Sequence, residues 1–346
     1  MTPGELDVRG VGSTGDVLII AEIGSVHDGS VGNAGCLVDV AADVGADVAK
    51  FQTHIAEAET LRDAPMPPYF TGEPRFEYFQ RTGFTPAQWQ QLKARCDDRG
   101  VEFMSSPFSI EAVELLEGVG VARYKVGSGE ISNLPMLHAI GETRKPVILS
   151  SGMSTWEELD AAVETVLTHH DHLTLLQCTS AYPCPYERVG LNVMLQLKER
   201  YRLPVGFSDH TLTIFAPIVA VALGASVIEK HLTLSRRMYG SDARHSLEPG
   251  EFREMVDGIR AASIMCGSVV DKDAAAGDLR AMKDIFEKSV VAVVDIAPGT
   301  VLTRDMLALK KPGTGIPASR LPELLGRRTS RAIRRDTLVS EDALHA

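Results

Sequence analysis

The chain has 346 residues, 44% of them hydrophobic and 23% charged, with a formal net charge of −11. That balance argues against nucleic acid or an anionic membrane as the main partner. No run approaches the ~20 apolar residues of a membrane span, and the opening MTPGELDVRG lacks the apolar stretch of a signal peptide, so a cytoplasmic location is expected. The cysteines (Cys36, Cys96, Cys178, Cys184, Cys266) are scattered and form no CxxC pair, which reads as reduced thiols.

In chain order, short apolar runs recur: VLIIAEIG (17–24), ADVAKFQT (46–53), VEFMSS (101–106), ARYKVG (122–127), PVILSS (146–151), HLTLLQCTS (172–180), PVGFSD (204–209) and ASVIEKHL (225–232). Helical patterns separate most of them. Thr85-Pro86 opens one helix that Gly100 should stop, and SSGMSTWEELDAAVETVLTHH opens another behind a Ser or Thr cap. Apolar strands alternating with helices predict a parallel sheet covered by helices. Eight such units over roughly 250 residues match a (β/α)8 TIM barrel; a doubly wound open sheet is the alternative. Residues 54–84, rich in Pro and aromatics, read as a lid or binding loop between the second and third strands.

After 1–268, the barrel domain, the pattern breaks into a linker (269–286) and a tail (287–346) with short strands and Pro-Gly and Gly-Thr-Gly turns. The tail carries ten Lys/Arg against seven Asp/Glu, a net of +3, which leaves −14 on the rest. A basic tail beside an acidic body suggests a contact with that body or with another subunit.

Polar residues gather where the strands end, and in a barrel those ends share one mouth. Loop onset explains the serines there, but not Lys50, Lys125, Glu229 and His231 among apolar neighbours. In SVIEKHLTL (226–234), period-two alternation sends Glu229 and His231 to one face and Lys230 to the other. His210 ends the seventh strand and His231 lies in the eighth, so adjacent strands bring both imidazoles within reach of one metal ion. Glu22 and Glu229 then orient the ligands, join them, or hold metal-bound water. Lys50 and Lys125 suit a Schiff base, an anion clamp or an ion pair. With the hydroxyls of Ser106, Ser128, Ser151 and Ser208 and the Gly-Ser-Gly at 127–129, the donor count favours a clamp for phosphate and carboxylate.

The segments AEIGSVHDG, GADVAKFQT, YKVGSGE, SSGM, LQCTSAYP, GFSDHT, VIEKHLTL and GSDARHSLEPGE, in this order, closely resemble the N-acetylneuraminate (sialic acid) synthase family. The tail KSVVAVVDIAPGTVLTRDML resembles its antifreeze-like (SAF) domain, a β-clip-like fold. The resemblance implies a condensation of phosphoenolpyruvate with an open-chain N-acylated hexosamine, releasing phosphate. It implies a divalent metal on His210 and His231, manganese first, with magnesium or cobalt as alternatives. It places the phosphoenolpyruvate clamp at Lys50, Ser106, Lys125, Ser128, Ser151 and Ser208. Sugar-contacting and acid/base positions fall at Glu22, Gln52, Tyr182, Glu229 and Asp242, with Glu130 near the reacting carbons. It also implies a homodimer with swapped SAF domains.

Three positions depart from the family pattern: Val26 and Ala181 replace Asn, and Lys311 stands where an Arg reaches the partner's sugar N-acyl group. They motivate two alternatives: a catalytically silent barrel that only binds its ligands, or a synthase acting on a different aldose in a specialised pathway.

Overall fold

The computed structural model describes residues 17–65 and 72–345. The opening MTPGELDVRG and the centre of the 54–84 insertion lie outside the described residues. Eight strands, β1 (Leu18–Gly24), β2 (Val48–Thr53), β3 (Glu102–Pro107), β4 (Tyr124–Val126), β5 (Val147–Ser150), β6 (Leu173–Cys178), β7 (Val205–Asp209) and β8 (Val227–His231), form one parallel sheet. β1 pairs with both β2 and β8, and β3 lies against β4. Every strand is thus flanked by its sequence neighbours, which is the cyclic order of a (β/α)8 barrel and not of an open doubly wound sheet.

The helices begin and end where local chemistry dictates. Pro86–Arg99 starts behind Thr85, whose hydroxyl accepts from the Gln88 amide in a reciprocal capping box, and stops at Gly100 in the left-handed region (φ 71°). Its buried face, Trp89, Leu92 and Cys96, joins the core between helices and sheet, where Trp89 packs edge-on against Phe51 and Phe84. Trp156–Leu167 is capped in the same way by Thr155 and Glu158.

Inside the barrel, Ile20, Val48, Met104, Ile148, Leu176 and Val227 form an apolar floor. Gly206 completes it: a Cβ there would sit 2.3 Å from the Val227 carbonyl oxygen, so this position tolerates no side chain. Strands alternate their faces with period two, so the next inward position after each floor residue is set. Those positions are Glu22, Lys50, Ser106, Ser150, Cys178, Ser208 and Glu229. The barrel core therefore changes from apolar to ionisable within one layer.

The contacts divide the chain into two compact units, Met1–Ser268 and Val269–Ala346. The second begins with helices Lys272–Asp278 and Arg280–Phe286, followed by the antiparallel pair β9 (Ser289–Ala292) and β10 (Leu307–Lys310). It has its own core, which includes Val290, Ile296, Leu302, Leu324 and Val339. Among the described residues, no helix is long and apolar enough to cross a membrane.

Candidate active site

A cavity of about 330 Å³ opens above the apolar floor, at the C-terminal ends of the strands. Its base is a network of opposite charges. Lys50 Nζ lies 2.7 Å from Glu22 Oε2, 3.5 Å from Glu229 Oε2 and 3.3 Å from Ser106 Oγ. Lys125 Nζ stands 3.6 Å from Glu229 Oε1, which also accepts from Ser208 Oγ at 2.9 Å. The two carboxylates are not equivalent. Burial holds the Glu22 carboxyl above its ordinary value, against the pull of Lys50. Burial acts on Glu229 too, but Lys125 and Lys50 together bring it down to about 2. One carboxyl is thus biased towards its neutral form beside two lysines, a surplus of cationic character that suits an anionic ligand. Burial lowers Lys125 from the usual lysine range, a cost that an arriving anion relieves.

The neighbouring wall carries the imidazoles. The His210 and His231 ring centroids are 5.5 Å apart, and Tyr182 packs 4.3 Å from His210. His210 Nδ1 lies 3.1 Å from the Thr179 carbonyl oxygen, so that nitrogen carries the hydrogen and Nε2 is the one available to a ligand. Burial disfavours a charged His210, yet the Cys178 sulfur at 3.7 Å from Nδ1 raises it above the ordinary imidazole value. Burial lowers His231 to about 4 despite the opposing pull of Asp242, and so keeps the ring neutral; its Nδ1 is buried without a hydrogen-bond partner. Two adjacent imidazoles, one oriented by a carbonyl and one with an orphan nitrogen, fit a divalent cation. No group of three or more His, Cys, Asp or Glu gathers as a metal cage among the described residues. A cation held between the two imidazoles would take its remaining positions from substrate or water.

The rim is built by loops. Gly24 ends β1 in the left-handed region, where a Cβ would meet Asp242 Oδ2 at 2.5 Å, so glycine lets Asp242 close on the strand end and accept from the Ser25 amide. His54 is sandwiched between Phe79, 3.7 Å away, and Phe108, 4.2 Å away. Its Nδ1 meets Glu59 at 2.7 Å and its Nε2 meets Gln52 Oε1 at 3.1 Å, while Gln52 Nε2 donates to Glu22 at 2.7 Å. A continuous polar chain thus runs from the insertion down to the charged base.

Most of the residues expected from sequence line this cavity: Glu22, Lys50, Gln52, Ser106, Lys125 and Ser128 on one side, and Tyr182, Ser208, His210, Glu229, His231 and Asp242 on the other. Three do not. Ser151 has the opposite parity from the inward positions, and its hydroxyl donates to the Leu176 carbonyl oxygen at 3.0 Å. Its neighbour Ser150 faces the cavity, and the Ser150 hydroxyl is buried without a partner. Glu130 is not among the lining residues and accepts from Asn133 Nδ2 at 2.9 Å. Lys311 belongs to the second unit, where its Nζ stands 4.8 Å over the Phe286 ring. Of the two other departures, Val26 is buried in the core and Ala181 packs against it, and neither lines the cavity. Sequence reasoning missed Ser150, His54, His245, and Arg75, Tyr78 and Phe79 of the helix Arg75–Thr82. The i, i+3, i+4 spacing of the last three was a readable signal of a common helix face.

Comparison with known proteins agrees with this architecture. The NeuB family model matches residues 37–271, and the SAF domain model matches residues 287–345. The chain is 36% identical over 332 residues to an N,N'-diacetyllegionaminic acid synthase of Campylobacter jejuni, covering 94% of this chain and 99% of that one. It is 35% identical to the N-acetylneuraminate-9-phosphate synthase of Homo sapiens, over 96% of this chain and 94% of that one. Among solved structures, an N-acetylneuraminic acid synthetase of Leptospira borgpetersenii superposes with a TM-score of 0.69 at 30% identity, covering 81% of this chain and 95% of that one. The chain belongs to the NeuB family and carries a C-terminal SAF domain.

Proposed function

We propose that the protein condenses phosphoenolpyruvate with the open-chain aldehyde of an N-acylated hexosamine, its 6-phosphate or a related aldose. The product is a 2-keto-3-deoxy sugar acid, and phosphate is released. The observation that carries this reading is the base of the cavity: two buried lysines, an ionised Glu229, a carboxyl biased towards neutrality, and a buried Ser150 hydroxyl with no protein partner. Lys50 and Lys125 bind the carboxylate and phosphate of the enol ester, with Ser106, Ser128, Ser150 and Ser208 as further donors. The relatives support the reading, being named as legionaminic, pseudaminic and N-acetylneuraminate-9-phosphate synthases.

C3 of the enol bonds to the aldehyde carbon, and the aldehyde oxygen takes a proton from Glu22. Water adds at C2 and gives one proton to Glu229. The C2–O bond to phosphate then breaks; the remaining hydroxyl proton leaves with phosphate and C2 becomes the ketone. Tyr182, Gln52 and Asp242 orient the sugar. We assign His210 and His231 as the ligands of a divalent metal, manganese first and magnesium or cobalt as alternatives, which when bound supplies Lewis-acid polarisation of a carbonyl oxygen. We further propose a homodimer in which each SAF domain covers the partner's barrel.

The test is phosphate release from phosphoenolpyruvate, with manganese, against a panel of C4 to C6 aldoses and their phosphates. H231A is expected to lose both turnover and metal binding while keeping its far-ultraviolet spectrum. K125A is expected to weaken phosphoenolpyruvate more than metal. Absence of phosphate release with every acceptor, or full turnover in H231A, contradicts the reading.

A further inference from the structure

Three Lys or Arg side chains line the cavity among the described residues: Lys50, Lys125 and Arg75. Lys50 and Lys125 each meet carboxylates. Arg75 does not. It makes no hydrogen bond or ion pair with any described residue, and its Nε is buried without a partner. Its guanidinium carbon lies 5.3 Å from the centroid of Phe79, the ring that stacks on His54. Glu130 is within electrostatic range of Arg75 but accepts from Asn133, and nearby Glu59 is held by His54. Neither carboxylate pairs with Arg75.

A guanidinium keeps its charge under all relevant conditions and offers its donors as a planar fork matched to carboxylate and phosphate. Leaving a buried donor unmet is unfavourable, so a ligand that meets it gains affinity. That ligand group is not the enol ester, whose cradle lies at the base with Lys50, Lys125 and Ser150. Arg75 comes from the insertion and sits over Phe79, which stacks on His54 at the outer end of the polar chain, where a second substrate would extend. We propose that Arg75 selects the acceptor by binding an anionic substituent, a phosphate ester or a carboxylate, at the end of the sugar remote from its aldehyde. This rests on the condensation proposed above and specifies the acceptor class.

The experiment compares kcat/KM for a neutral N-acetylhexosamine, its 6-phosphate and its 6-carboxylate, in the parent protein, R75Q and R75K. The parent is expected to prefer a charged acceptor, and whichever one it prefers separates phosphate from carboxylate. R75Q should lower kcat/KM for that acceptor about ten- to a hundredfold more than for the neutral sugar. R75K should fall between them, because a point charge lacks the fork. A parent that prefers the neutral sugar, or an equal loss for all three sugars in R75Q, overturns the assignment. Calorimetric binding of the same sugars keeps the two claims apart. If nothing turns over, tighter binding of a charged sugar that R75Q removes sustains the assignment and refutes the reaction. Absence of that difference in both binding and turnover overturns the assignment.

Discussion

Glu229 and Lys230 are adjacent in sequence and face opposite sides of β8. Glu229 joins the cavity, while Lys230 points towards the helices and places Nζ 2.5 Å from Asp209 Oδ2, with a second bond to the Thr211 carbonyl oxygen. The pair is buried, so removing one partner strands the other charge. Lys230→Met is therefore expected to destabilise the fold by about 3 kcal/mol in denaturant unfolding; an unchanged midpoint contradicts this. Ser150 and Ser151 make a second opposed pair. Ser150→Ala removes an unpartnered hydroxyl, so it should leave stability unchanged or slightly raised and weaken phosphoenolpyruvate binding roughly two- to tenfold. Ser151→Ala should instead lose about 1 kcal/mol of stability with its bond to Leu176. Titration of phosphoenolpyruvate into both variants, beside their unfolding curves, separates the two roles, and the reverse pattern contradicts the parity assignment.

At the scale of elements, the strands were legible because parallel strands are apolar on both faces and stand out as runs. The same property hid which of two adjacent hydroxyls in LSS faces inward: with both faces apolar, alternation is not visible until the barrel is closed. The sequence marks the insertion as a lid or binding loop, and its His54, Arg75, Tyr78 and Phe79 line the cavity, yet the partners of His54 were not legible, since Phe79 and Phe108 lie on different elements and meet only in the folded chain. The turn after β1 carries a testable consequence of burial. His27 packs on Phe84, accepts from the Gly29 amide through Nδ1 at 3.1 Å, and is pushed by burial down to about 4. The unfolded chain takes up a proton near pH 6.5 while the folded chain resists until about 4. The stability this group contributes is therefore complete above about pH 6.5 and is lost as pH falls towards 4, a total of about 3 kcal/mol. His27→Asn keeps an acceptor and removes the titration, so its loss of stability between pH 7 and pH 5 should be about 2 kcal/mol smaller than the parent's. Equal acid sensitivity of the two proteins contradicts the burial argument.

At the scale of the molecule, each of the two units has its own core, while the catalytic groups assigned above all come from the first. Under the proposed cover by the partner's SAF domain, the second unit would act on access and acceptor binding. Deleting 287–346 is expected to leave phosphoenolpyruvate binding within about threefold of the parent and to raise the acceptor KM about tenfold or more, the loss of one or two charged or polar contacts. Retention of full acceptor use in the truncated protein contradicts the proposed cover. In the proposed reaction the barrel mouth joins the enol carbon to an aldehyde and expels phosphate by breaking the C2–O bond. Phosphoenolpyruvate labelled with oxygen-18 at its bridging oxygen tests this most directly. One labelled phosphate for each keto acid formed is the result predicted; label retained in the keto acid, or no phosphate at all, contradicts it.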